Sequence, residues 1–186
     1  FQQIGLVFAG SEPSTMRMLF EDSDQPFYGQ ADLLPVPPLS LAGFTDIVSH
    51  GFDGTPPRGL AGNIHGFTRG HPQRSMQLAD AAWDATQDGS DNPWADALAA
   101  VREATASGHE TRFSAAPPAE QAVLRLVAAR EPLFGRAAEL LELSRSSAQN
   151  SRSRLVATGQ LITEGRGTHT VVDPLYEDWI AHRFPL

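Results

Sequence analysis

Gly70-His71-Pro72-Gln73-Arg74-Ser75-Met76-Gln77-Leu78-Ala79-Asp80-Ala81-Ala82-Trp83 reads as one helix ending, a turn, and a second helix beginning. Gly70 supplies the permissive backbone of a helix stop, and Pro72 suits a first helical turn, where its missing N–H is not needed. Met76, Ala79, Ala82 and Trp83 recur at helical spacing and predict the apolar stripe of the new helix. Strand-and-loop chemistry precedes this joint and helical chemistry follows it.

Working back towards Phe1, Leu60, Ile64 and Phe67 mark a helix that Gly70 ends, and Ser40 caps another bearing Leu41, Phe44, Ile47 and Val48. Leu33-Leu34-Pro35-Val36 predicts a weak edge strand, because proline cannot donate to a central ladder. The apolar run Ile4-Gly5-Leu6-Val7-Phe8-Ala9 fits a parallel strand covered on both faces, and Met16, Leu19 and Phe20 mark a short helix after it.

Working forward, Asn92-Pro93 opens a helix carrying Trp94, Leu98 and Val101, which Gly108 is expected to stop. Pro118 to Arg130 predicts an amphipathic helix with Val123, Leu126 and Val127 inward. Phe134 to Leu141 predicts a second, with Ala137, Leu140 and Leu141 inward. Ser146 to Thr158 predicts a third, with Leu155 and Val156 inward. Leu161-Ile162-Thr163 and Thr170-Val171-Val172 flank the glycine turn Glu164-Gly165-Arg166-Gly167 and predict a hairpin. Asp173-Pro174 then opens a closing helix. Three helices with a tight turn, then a hairpin, is the outline of a winged helix-turn-helix.

Composition narrows the chemistry. The chain has 186 residues, 41% hydrophobic and 19% charged, so a packed core is expected. There is no cysteine, which excludes disulfides and thiolate metal sites, and all 14 basic residues are arginine. Without lysine there is neither a phosphate-loop lysine nor a Schiff base. No apolar run approaches the ~20 residues that span a bilayer, so a cytoplasmic protein without a membrane partner is expected. His50, His65 and His71 match no metal-ligand spacing, and no metal site is expected. Residues 1–116 hold 6 Arg against 14 Asp and Glu (net −8), whereas residues 117–186 hold 8 against 8 (net zero). This shift at Ala115-Ala116-Pro117-Pro118 places a domain boundary between 1–114 and 115–186.

In a winged helix the third helix meets the major groove. Its polar face here offers Ser147, Gln149, Asn150, Arg152 and Arg154, and Arg166 sits at the hairpin tip. Gln and Asn pair with adenine, Arg with guanine or phosphate. The neutral balance of this half argues for a protein-docking role instead, so duplex DNA and a protein partner both stand.

Leu6-Val7-Phe8-Ala9-Gly10-Ser11 resembles the strand that ends at the sensor-1 position of AAA+ and STAND-type P-loop ATPases. Met16-Arg17-Met18-Leu19-Phe20, Pro26-Phe27-Tyr28-Gly29-Gln30 and Leu34-Pro35-Val36 follow in the order of the archaeal-ATPase-like branch, and Gly70-His71-Pro72 is similar to the G-x-P motif that opens its lid helix. The resemblance implies a mostly α protein with a small β part. A remnant of the AAA+ α/β core and helical lid would occupy 1–114, and a winged helix-turn-helix with a closing helix 115–186. It further implies Ser11 as the sensor-1 group, Arg17 as an arginine finger, and Gly70, Pro72 and Arg74 at the nucleotide, with Arg74 a sensor-2-like cation. ATP and Mg would be cofactors of the complete protein, while this chain alone is not expected to hydrolyse ATP. The P-loop and Walker B aspartate would lie upstream of Phe1, so a fragment is expected, with the strand at 4–9 covered by something else, such as a second copy. ATP state would then bias a hinge near Gly70 and reposition the winged helix. The competing class is a non-enzymatic DNA-binding or protein-docking module.

Overall fold

A computed structural model describes residues 6–10, 13–34, 36–165 and 167–186. The chain is mostly helical. In order it forms α1 (Pro13–Glu21), α2 (Leu41–Gly51), α3 (Leu60–Thr68), α4 (Pro72–Gln87), α5 (Pro93–Ala115), α6 (Pro118–Ala128), α7 (Arg136–Leu140), α8 (Arg145–Ala157), β1 (Leu161–Glu164), β2 (Thr168–Val171) and α9 (Pro174–Arg183). The two strands pair antiparallel, Leu161 opposite Val171 and Glu164 opposite Thr168.

Several helix starts are written in the chain. Ser40 Oγ accepts from the Gly43 N–H at 3.1 Å, Asn92 Oδ1 from the Ala95 N–H at 3.3 Å, and Asp173 Oδ1 from the Leu175 N–H at 3.1 Å. Each satisfies an orphan donor of a first turn. At the α3–α4 joint, Arg69 and Gly70 both take left-handed backbone (φ 54° and 76°). Gly70 is buried, its carbonyl accepts from the Leu39 N–H at 2.9 Å, and a side chain there would collide with the Leu39 carbonyl. The Leu39 carbonyl is held in turn by His65 Nε2 at 2.9 Å.

Two apolar cores result. The front core joins Phe44, Val48, Leu60, Ile64, Leu78, Ala82 and Val101 from α2–α5. The rear core joins Val123, Leu124, Leu126, Leu155, Leu161 and Val171, among others, from α6, α8 and the hairpin. Two elements belong to both: α5 gives Val101 to the front and Phe113 to the rear, and α9 gives Leu175 to the front and Tyr176 and Ile180 to the rear.

Some expectations need correcting. Residues 6–10 are irregular, with Leu6 75% and Val7 93% exposed; Ile4 and Gly5 lie outside the described residues. No described strand lies beside them, and a strand exists only where a partner supplies its hydrogen bonds. Leu33, Leu34 and Val36 are irregular too, amid prolines that cannot donate, and Pro35 lies outside the described residues. The expected α/β character at 4–9 and 33–36 is therefore missing among the described residues, whose strands are those of the hairpin. Gly108 does not stop α5, which runs on to Ala115, where Ala116-Pro117-Pro118 ends it. The α4 stripe is rotated: Ser75, Leu78, Ala79 and Ala82 are buried, while Met76 and Trp83 are 46% and 42% exposed. Ser75 tolerates burial because its hydroxyl bonds that of Thr68 at 2.7 Å. Likewise Ala138 rather than Leu140 is buried in α7, and Val156 of α8 is exposed.

The two glycines give opposite expectations. Gly70→Ala forces a Cβ into the Leu39 backbone at positive φ and should cost about 1–3 kcal/mol. Gly108→Ala fills open space in a helix interior and should gain about 0.5–1 kcal/mol. Thermal melts of the two variants check both signs.

Candidate nucleic-acid interface

The helix pair α7–α8 is built by a tight turn. The Leu143 N–H donates to the Ala138 carbonyl and the Glu142 N–H to the Glu139 carbonyl, both at 3.0 Å, with Glu142 left-handed at φ 52°. This closes the last turn of α7 and tucks Leu143 under the rear core. Ser144 then caps α8, its Oγ accepting from the Ser147 N–H at 3.2 Å.

Ala148, Ser151 and Leu155 anchor α8 inward. At 100° per residue the opposite side centres on Ser146, Gln149, Asn150 and Ser153, all exposed. Arg145 and half-buried Arg152 lie along one edge of that face; Arg154 and half-buried Ser147 lie along the other. No acidic residue occurs in α8, so its three arginines stand unopposed within the helix. Arg154 lies 3.8 Å from Glu120, a loose contact for a side chain 75% exposed, and Arg145 stacks over Phe134 at 5.3 Å. The hairpin follows beside this helix. His169 bonds Thr163 Oγ1 at 3.2 Å, and burial followed by the Arg152 charge pulls its pKa below the ordinary value. Arg166 lies outside the described residues.

Of the site residues expected at the front, Gly70, Pro72 and Arg74 lie at the α3–α4 joint and in the first turn of α4. Ser11 lies outside the described residues, and Arg17 is exposed on α1. Gly70 is committed to Leu39, and Pro72 opens α4. Arg74 turns to α9: Nε and Nη2 meet the two Asp173 carboxylate oxygens at 3.0 and 2.6 Å, and Nη1 donates to Gln77. One cavity, about 220 Å³, lies between Arg102, Asp178, Trp179 and His182. Another, about 440 Å³, is lined by Asp84, Asp88 and Asp96, which would repel a triphosphate. Neither includes Pro72 or Arg74. His50 bonds the Asp46 carbonyl, His65 the Leu39 carbonyl, and His71 caps α4. No group of three or more His, Asp or Glu among the described residues is arranged to hold a metal ion. No described helix is long and apolar enough to cross a membrane.

Sequence reasoning missed the seam. Arg74 pairs with Asp173, Arg102 forms two 2.8 Å bonds to Asp178, and Arg69 reaches Glu177 Oε2 at 2.6 Å. The available signal was Asp173, Glu177 and Asp178 clustered around a helix that also carries Leu175 and Ile180. The seam changes the charge reading. Asp173 and Asp178 pair with front arginines, Glu177 is shared between Arg69 of the front and Arg130 of the rear, and Arg183 of the rear approaches Glu110 of α5 at 3.7 Å, so charge is exchanged across the seam in both directions.

Burial raises the Asp173 carboxyl, but the bonds and charge of Arg74 outweigh it and hold its pKa below the carboxylate value. Burial pulls His109 below 6.5, where it lies against Tyr176 and Trp179. Burial also lowers His71 and pushes the Tyr176 hydroxyl up to about 12. Comparison with protein-family models, curated proteins and solved structures gave no match.

The signs fix a pH response. His109 and His71 bind protons less readily folded than unfolded, so their stability contribution is full above 6.5 and falls as pH drops through their folded values. Asp173 adds a further loss below its unfolded value of 3.8. The melting temperature should therefore fall between pH 7.5 and 5.5, and His109→Phe should flatten that slope.

Proposed function

We propose that residues 118–186 form a winged helix-turn-helix that lays α8 in the major groove of duplex DNA, and that the whole chain is the lid-and-winged-helix portion of an AAA+/STAND-type P-loop ATPase. The observation that carries the DNA part is the acid-free exposed face of α8. Amide side chains lie at its centre and arginines along both edges, an arrangement suited to base edges flanked by phosphates. In this reading Gln149 and Asn150 address adenine edges, Arg145, Arg152 and Arg154 take phosphates, and Arg166 at the hairpin turn reaches the backbone.

The ATPase part rests on the resemblance at Leu6–Ser11 and Gly70–Pro72. The exposed apolar run Leu6-Val7-Phe8 supports it, because a core strand parted from its sheet would present this pattern. The phosphate-binding lysine and the Mg ligand would come from outside these 186 residues, which contain no lysine. The engagement of Arg74 with Asp173 favours the second reading, a DNA-binding or docking module without enzymatic activity, since it takes that cation away from a phosphate.

Two measurements test this. Binding to a mixed-sequence duplex should weaken linearly in log K against log salt. Arg152→Ala and Arg154→Ala should each reduce the slope by about 1, while Gln149→Ala should change base preference. Absence of duplex binding at low salt would redirect the α8 face to a protein partner. Calorimetric titration with Mg·ATP should show no micromolar binding, and a micromolar site would place the phosphate cradle within this chain.

A further inference from the structure

The root of the hairpin is held by arginines of the front bundle. Arg112, near the end of α5, donates to Gln160 Oε1 at 3.2 Å and covers the Tyr176 ring at 4.3 Å. Arg69, just past α3, donates to the Val171 carbonyl at 3.2 Å while pairing with Glu177. Arg74 grips Asp173, two residues beyond Val171 and the cap of α9. Gln160 and Val171 stand at the open end of the hairpin: the Val172 N–H donates to the Gln160 carbonyl at 3.0 Å, and the Gln160 N–H to the Leu155 carbonyl of α8 at 2.8 Å. These arginines therefore touch the residues at the root of the hairpin: Gln160 just before β1, Val171 at the end of β2, and Asp173 between β2 and α9.

Two strands of four residues do not hold themselves in a fixed pose in water. Leu161, Thr170 and Val171 pack inward, but Ile162, Thr163, Glu164 and Thr168 are exposed and add no anchorage. The direction of the hairpin is thus set at its root, by Leu161 and Val171 in the rear core against α6 and α8 and by the arginines above. Arg69 makes both contacts through Nη2, whose N–H groups lie in the fixed plane of the guanidinium, whereas the ammonium of lysine on its flexible stem holds its donors in no fixed plane.

We propose that the front bundle sets the pose of the hairpin relative to α8 through Arg69, Arg74 and Arg112, which act as positioning residues for the DNA-facing surface. The DNA clause rests on the function proposed above; the positioning itself does not. A movement of the α3–α4 joint would be carried by Arg69 and Arg74 to the hairpin, in this protein and in any larger assembly containing it.

Amide hydrogen exchange on the full chain, read by NMR without DNA, tests the positioning. Arg69→Ala and Arg112→Ala should speed exchange of hairpin amides about 3- to 10-fold while α8 amides stay within a factor of 2. Asp173→Asn keeps the α9 cap and removes the charge partner of Arg74, and should act in the same direction. Arg69→Lys should restore only part of the protection. Unchanged hairpin exchange, or equal loss of protection in hairpin and α8, would overturn the proposal. Anisotropy with a mixed-sequence duplex gives the second arm, where the same variants should weaken binding 3- to 10-fold. A hairpin response with no duplex binding by the unaltered chain would support the positioning and overturn the DNA reading alone.

Discussion

The structure depends on how α9 joins the front bundle to the rear unit. Arg74 and Arg102 each make a bidentate contact to a carboxylate at the α9 side, and Leu175 enters the front core while the next residue, Tyr176, enters the rear core. The apolar part supplies most of the free energy, at roughly 25 cal/mol per Å² of surface removed from water. The ion pairs supply direction. Breaking one partner of a half-buried pair leaves a desolvated charge, which penalises any other arrangement of the two units.

That seam also joins charges from the two parts of the chain. Arg69, Arg74 and Arg102 of the front pair with carboxylates on α9 or at its cap, while Arg130 of the rear shares Glu177 and Arg183 of the rear approaches Glu110 of α5. A balance of zero over residues 117–186 does not show this, because a count of net charge takes no account of which partner each charge meets.

What could be read from the chain follows the range of the interaction involved. The caps at Ser40, Asn92 and Asp173 are local, and the helices beginning there were legible. So was the three-helix-plus-hairpin order after Pro118, because periodicity and glycine turns carry it. The face of α4 was misjudged because burial of Ser75 depends on Thr68, seven residues back and on another helix. The strand expected at 4–9 is absent at its described residues 6–9 for the same reason at larger scale: an apolar run states what a strand requires, not whether a neighbour provides it. Arg74 illustrates the limit at a candidate site. Its place in the first turn of α4 could be read, whereas its partner Asp173, 99 residues away, could not.

The sharing of α5 and α9 between the cores bears on how the polypeptide acquires its shape during vectorial synthesis. Leu175 follows Val101 by 74 positions, yet both close the same apolar interior. While a ribosome is still extending the chain through residues 116–172, the front helices present an unsealed hydrophobic mouth. A long closure must precede the stabilising contact, which slows maturation and exposes sticky surface meanwhile. Once α9 arrives it seals both interiors together, so neither half is finished before the other.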